Sequence, residues 1–206
     1  MKKIVILIPF LFACLFIHAQ TVSDSDRQVM EKIKQANVKY TSIVSDFKQT
    51  KHLSFMGEDI VSSGKFYYNK PDRLAMRYDS PEGDLMLIDG GKMVMITAGK
   101  QTSTKSNNRT KEMKTILSSC LQGDIEQMEA SKISCEETSK YYVVTAEIER
   151  TNKSNISKAV MSYEKTNMTL SVLRLEEPDN SYTVYELTGK ELDKPIDPNV
   201  FQVSKK

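Results

Sequence analysis

The chain has 206 residues, 39% hydrophobic and 27% charged, with a formal net charge of +2. That excess sits in Lys2 and Lys3, because without residues 1–19 the 29 basic residues become 27 against 27 acids. A neutral chain of about 187 residues fits one domain with a sizeable core, and its charge balance argues against nucleic acid and a strongly anionic membrane as main partners.

Residues 1–19 read as a cleavable signal peptide. Lys2-Lys3 is a basic start, Ile4 to Ile17 an apolar run, and Ile17-His18-Ala19 a cleavage site that leaves Gln20 first. The apolar run is short for a membrane span, and no later stretch reaches 18 apolar residues. Residues 20–206 are therefore expected to form a single exported domain. A competing site, Leu11-Phe12-Ala13-Cys14, would leave Cys14 as a lipidated N-terminus. The bulk of Phe12 and the greasy run continuing to Ile17 argue against it.

Asp24 or Ser25 can cap a first helix to about Lys39, with Val29, Ile33, Ala36 and Tyr40 on one stripe. Ser42–Leu53 reads as a strand carrying Ile43, Ser45, Phe47 and Gln49 on one face. Ser63–Ile96 reads as four short antiparallel strands, divided by turns at Asn69-Lys70-Pro71-Asp72, Ser80-Pro81-Glu82-Gly83 and Asp89-Gly90-Gly91. In the second of these, Leu74, Met76 and Tyr78 share one face and Arg73, Arg77 and Asp79 the other. In the third, Leu85-Met86-Leu87-Ile88 leaves neither face polar, and its phase stays open. An antiparallel sheet usually keeps one wet face. Two dry faces therefore call for protein on one side and a greasy ligand on the other.

Gln101–Lys111 is polar and reads as a mobile loop. Met113, Ile116, Leu117, Cys120 and Leu121 form the stripe of a second helix, ended by Gly123, and Asp124 caps a short helical piece through Glu129. Strands follow at Lys132–Cys135, Tyr141–Glu149, Ala159–Glu164, Thr169–Glu176 and Tyr182–Thr188, and the tail from Asp197 to Phe201 adds an edge element. Ten or eleven antiparallel strands with two or three helices give a mainly β (α+β) fold. So many strands in a short chain imply one strongly curved sheet, an open β-barrel with its helices in the hollow as a lid.

Catalytic chemistry is absent from the pattern. His52 is the one histidine of residues 20–206, and no metal-ligand spacing, nucleophile elbow or phosphate loop occurs. No catalytic residue, metal or cofactor is expected. Cys120 and Cys135 are either a disulfide or two buried thiols. The positive signal is methionine. Met76, Met86, Met93 and Met95 fall in the strand block beside Phe66 and Tyr68, and Met113 lies on the second helix. Flexible, polarizable thioethers suit a wall that accepts variable apolar partners.

Several segments resemble one family. Phe47-Lys48-Gln49 resembles the Phe-x-Gln early strand of periplasmic outer-membrane lipoprotein carriers of the LolA type. Gly64-Lys65-Phe66-Tyr67-Tyr68-Asn69-Lys70-Pro71 is similar to their Gly-x-Leu-x-x-x-[Arg/Lys]-Pro segment. Leu74-Ala75-Met76-Arg77-Tyr78 resembles the aromatic-rich strand after it, and Ile88-Asp89-Gly90 their Ser-Asp-Gly turn. The resemblance implies a monomeric, non-enzymatic periplasmic carrier. Its cavity would take acyl chains of lipoproteins from an inner-membrane ABC-type transporter and pass them to an outer-membrane acceptor. Phe47, Leu74 and Met76 match cavity positions of the family, and Ile116, Leu117 and Leu121 match the lid helix loosely. Lys70 stands where the family often has a lid-latching arginine, with fewer donors than that guanidinium. Met76 replaces the family's tryptophan, which implies a softer, more adaptable pocket or a divergent cargo, and Met76→Glu is expected to abolish acyl binding while the fold survives. The alternatives are a lipidated outer-membrane acceptor of the same fold, which needs Cys14, and a general lipid-binding or envelope-sensor module. A cleft hydrolase would need a nucleophile–base pair around His52.

Overall fold

The computed structural model describes residues 22–90, 92–104, 108–148 and 155–203. The expected signal peptide, Cys14 and Gly91 lie outside the described residues. Eleven strands form one antiparallel sheet. The first six are β1 (Ser42–His52), β2 (Ile60–Asn69), β3 (Arg73–Ser80), β4 (Leu85–Asp89), β5 (Lys92–Thr97) and β6 (Lys100–Thr104). The others are β7 (Ala130–Glu137), β8 (Tyr141–Ile148), β9 (Lys158–Glu164), β10 (Leu170–Glu176) and β11 (Tyr182–Leu192).

Two meanders, β1 to β6 and β7 to β11, join where β1 pairs with β11, with Phe47 opposite Leu187. β6 and β7 are left as edges, so the barrel is open. Helix α2 (Asn108–Gln122) carries the chain from one edge strand to the other. Gly64 sits at a register shift of β2 against β3. A Cβ there would come within 2.0 Å of the Arg77 carbonyl oxygen, so only glycine allows the two backbones to approach this closely.

Helix α1 (Asp24–Val38) begins one residue earlier than expected, capped by Ser23, whose Oγ accepts from the Asp26 amide at 3.1 Å. It buries Met30, Ile33 and Asn37 rather than a stripe through Ala36 and Tyr40. Both helices lie on the inner face of the sheet. There Ile33, Leu117 and Leu121 share one core with Phe47, Met76, Val144 and Met161.

Three expectations are corrected. The polar run from Gln101 is not all loop: β6 pairs with β5 from Thr97 opposite Lys100 to Met93 opposite Thr104, and α2 starts at Asn108. A polar, Thr-rich segment is a normal edge strand, because the ladder uses backbone groups and polar side chains keep the edge soluble. Residues 105–107 lie outside the described ones.

The tail is not an edge element. Pro198–Phe201 forms a short 3-10 turn on the outer face, where Phe201 is buried with Ala75, Leu85 and Leu87. Ile196, Val200 and Val203 pack beside it. Arg77 holds this strap by donating to the carbonyls of Val200 (3.0 Å), Asn199 (3.3 Å) and Gln202 (2.7 Å).

The strap also corrects the reading of β4. Met86 and Ile88 face the inner core, while Leu85 and Leu87 face outward beneath the strap. The second dry face is therefore covered by the chain's own C-terminal segment and not by a ligand.

Candidate functional site

The inner face is ruled into rows by the strand register. One row sets Met95, Met86, Met76 and Phe66 side by side across β5, β4, β3 and β2. The next sets Met93, Ile88, Leu74, Tyr68 and Ile43 side by side from β5 to β1. Phe66, Tyr68, Leu74, Met76, Met86 and Met93 are all buried, as is Phe47, which meets Tyr78 edge-on with ring centroids 5.0 Å apart. From α2, Ile116, Leu117 and Leu121 are buried against these rows and Met113 is half-buried. Met95 departs from the rest and is exposed.

A small void remains where floor meets roof. Phe66 and Met76 lie on its floor, Leu117 and Leu121 above it, and Leu170, Leu173, Tyr185 and Leu187 along its far wall. Its volume is about 20 Å³, room for about one water molecule. Among the described residues the undersides of the two helices fill the space between floor and roof, as expected of a lid lying in the hollow. The physical reason is cavity cost, since every unfilled Å³ in an apolar core lowers stability. The far wall, from β10 and β11, is absent from the expected site. The alternation through Leu173 and Leu175 marks that strand's buried face, but the register that brings it opposite Met76 is not local.

The two helices are held differently. Helix α1 is tied at both ends: the Cys135 amide donates to Asp26 at 3.1 Å, Lys34 pairs with Asp124 at 3.0 Å, and the Asn37 amide donates to the Met168 carbonyl at 2.7 Å. Lys70, the expected latch, donates to the carbonyls of Asn37 (2.5 Å) and Val38 (3.0 Å) at the C-terminus of α1. A cation there meets unsatisfied carbonyls and the negative end of the helix dipole.

Helix α2 has other ties. Lys114 donates to the Gly90 carbonyl and stands 3.8 Å from Asp72. Glu112 accepts from the Asn155 amide at 3.2 Å, and Gln122 donates to the Pro71 carbonyl at 3.1 Å. Beneath it, Tyr163 donates to the Cys120 carbonyl at 2.8 Å. Lys114 and Gln122 gave no signal in the sequence, because surface Lys and Gln are common on any helix.

Polar groups at the site point to packing rather than chemistry. Tyr78 donates to Gln49 at 2.7 Å, and burial pushes the Tyr68 and Tyr185 phenols up to about 12. Cys120 and Cys135 are separate thiols. Burial pushes both thiols up, to about 12 for Cys135, the opposite of an activated nucleophile. His52 is bonded to Asp59 (2.8 Å) and stacked on Tyr182. On the outer side, Lys190 lies 2.6 Å from Ser171 and 3.3 Å from Glu164, an arrangement that looks like a serine–lysine pair. Ser171 donates to Glu164 at 2.7 Å, so its proton faces a carboxylate and the lysine acts as a donor, which makes this an ion-paired strut. Among the described residues no group of His, Cys, Asp and Glu could hold a metal ion.

The sheet is open between two edges and roofed by two helices over an apolar floor. A model of the family described as outer membrane lipoprotein carrier protein LolA matches residues 38–204. The chain belongs to the LolA family. Among curated proteins, none matches it. Similar solved structures include an uncharacterized conserved protein from Thermus thermophilus (TM-score 0.53, 6% identity, 88% of this chain and 95% of that one). A DUF1329 family protein from Desulfovibrio piger has a TM-score of 0.51 at 14% identity, covering 85% of this chain and 95% of that one. The Pseudomonas aeruginosa MucA/MucB complex gives 0.51 at 8% identity over 86% of this chain and 60% of the matched chain. At such identities the likeness concerns the fold alone. As a LolA-family member the protein is a carrier or binding module at the family level. Among the described residues, no helix is long and apolar enough to cross a membrane.

Proposed function

We propose that residues 20–206 form an exported periplasmic carrier. It holds lipoprotein acyl chains under α2 and moves them from an inner-membrane ABC-type transporter to an outer-membrane acceptor. The observation that supports this most is the roofed inner face. Phe66 and Met76 below and Leu117 and Leu121 above enclose a space with no charged lining residue, beneath a helix fastened at its rim by a handful of polar contacts.

The energetics fits a shuttle. Sheltering an acyl chain contributes about 0.8 kcal/mol per CH₂, on the order of ten kcal/mol for a long chain. Among the described residues, Leu117 and Leu121 of α2 lie against the floor. Cargo must therefore displace Leu117 and Leu121 from the floor, and that displacement weakens net binding enough for release. A carrier with a permanently open cavity would lack this counterweight.

The test is native mass spectrometry of the protein purified gently from its own periplasm. The expected result is a mass increment of an acylated molecule, lost on mild organic extraction and regained with a dipalmitoylated lipopeptide. A folded protein that is always bare, and that takes up no such lipopeptide, would overturn the reading. The likeness to the MucA/MucB complex favours a second reading, an envelope-sensor module that binds a protein. A co-purifying polypeptide in the same experiment would support that reading instead. Intact mass at the N-terminus separates the carrier from an acceptor lipidated at Cys14.

A further inference from the structure

The hairpin that joins β1 to β2 is greasy on the outside. Phe55 is 79% exposed, Met56 41%, Ile60 44% and Val61 54%. Neighbouring turns at the same end of the sheet are polar, with Glu82 and Asp84 between β3 and β4 and Asp179 and Asn180 between β10 and β11. The hairpin is also held in shape. The Met56 amide donates to the Leu53 carbonyl at 2.8 Å, and the Ser54 amide donates to the Ser181 hydroxyl at 3.1 Å. At its neck His52 and Asp59 are bonded at 2.8 Å, and the His52 ring stacks on Tyr182 with centroids 4.8 Å apart. A fixed backbone thus presents Phe55 and Met56 to solvent, at the opposite end of β1 from the Lys70 turn.

We propose that this hairpin dips into the interfacial region of a zwitterionic bilayer, with Phe55 and Met56 among the upper acyl chains. Three observations select lipid over a protein partner or a second copy. The four side chains expose on the order of 400 Å², half of the about 800 Å² that each partner gives to a stable protein interface. Ile60 and Val61 are consecutive in β2 and so point to opposite faces, which puts apolar surface around the hairpin rather than on one side of it. Lipid surrounds an inserted element, whereas a protein covers one face. The charges also balance: Lys51 stands against Glu58, and His52 against Asp59. Without a basic excess, the attraction is apolar and needs no anionic lipid. Lys51, His52 and Tyr182 at the neck are amphipathic groups of the kind that settle at headgroup level, and they limit the depth. The inference goes beyond the carrier reading and stands whether or not cargo is held.

The chain contains no tryptophan, so one substitution supplies a single indole. Protein recovered after export, with an intact mass that begins at Gln20, carries either Phe55→Trp or Val38→Trp. Val38 is 67% exposed and lies beside Lys70, at the other end of β1. On adding phosphatidylcholine–phosphatidylethanolamine vesicles, the Phe55→Trp emission should shift to the blue and be quenched by lipids brominated on the upper acyl chain. Val38→Trp should do neither. An unmoved Phe55→Trp, or equal shifts in both proteins, overturns the proposal. A blue shift that grows with protein concentration without vesicles assigns the tip to a second copy and overturns it too. Phe55→Glu, at a position too exposed for a carboxylate to threaten folding, should weaken vesicle partition about tenfold. Unchanged partition, or binding that requires anionic lipid and disappears in salt, overturns the proposal. Lipopeptide uptake by Phe55→Glu in native mass spectrometry reports on the carrier reading separately, so the two can fail independently.

Discussion

Single residues decide how firmly the roof sits. Lys70 gives α1 two hydrogen bonds at its C-terminus. Removing such a half-exposed cationic cap costs about 1 kcal/mol. Lys70→Ala should lower the calorimetric midpoint accordingly, and Lys70→Arg should hold or raise it. Asp193 accepts from the amide and hydroxyl of Thr41 at 2.7 and 2.9 Å, and these bonds hold its carboxyl below the ordinary value. A depressed folded pKa contributes stability that is fully present above the unfolded pKa, about 3.9, and is lost as pH falls through the folded value. The midpoint difference between wild type and Asp193→Asn should therefore be constant at neutral pH and vanish in acid. Met76→Glu, expected from sequence to spare the fold, does not qualify as a clean test. Met76 is fully buried, and an unpaired carboxylate there costs several kcal/mol unless it is protonated.

Elements differ in how independently they can move. The rim contacts of α2 are side-chain bonds at the protein surface, whereas β1 and β11 share a long backbone ladder. The double variant Lys114→Ala, Gln122→Ala should speed amide hydrogen exchange in α2 while leaving β1 and β11 protected. Equal protection of α2 in variant and wild type would show that apolar packing alone holds the roof. The C-terminal strap is a fixture by contrast. Phe201 is buried under Arg73, whose guanidinium lies 4.4 Å from the ring centroid. Phe201→Ala should cost about 3 kcal/mol in urea unfolding. Gly64→Ala should be comparably severe, about 3 kcal/mol, because the clash is with backbone that cannot turn away.

Over the whole molecule, the outcome depends on strands that meet from opposite ends of the chain. Period-two alternation in Leu74, Met76 and Tyr78, the turns around Pro71 and Gly83, and the helical stripe through Ile116, Leu117 and Leu121 are local signals. They fixed most element positions and the inner face of β3, because side-chain direction follows from backbone period alone. The buried halves of most expected site residues were legible for the same reason. Three things were not. The phase of Leu85 to Ile88 was undecidable because both faces are apolar, and only the strap carrying Phe201 separates them. The far wall from Leu170 to Leu187 depends on β1 pairing with β11, residues about a hundred and forty positions apart, as in Phe47 opposite Leu187. How tightly roof and floor pack among the described residues depends on how deeply two helices settle, which is a balance of packing and cavity cost summed over the whole core. Pattern in the chain determined which residues are inside; long-range pairing and packing decided what each one faces there.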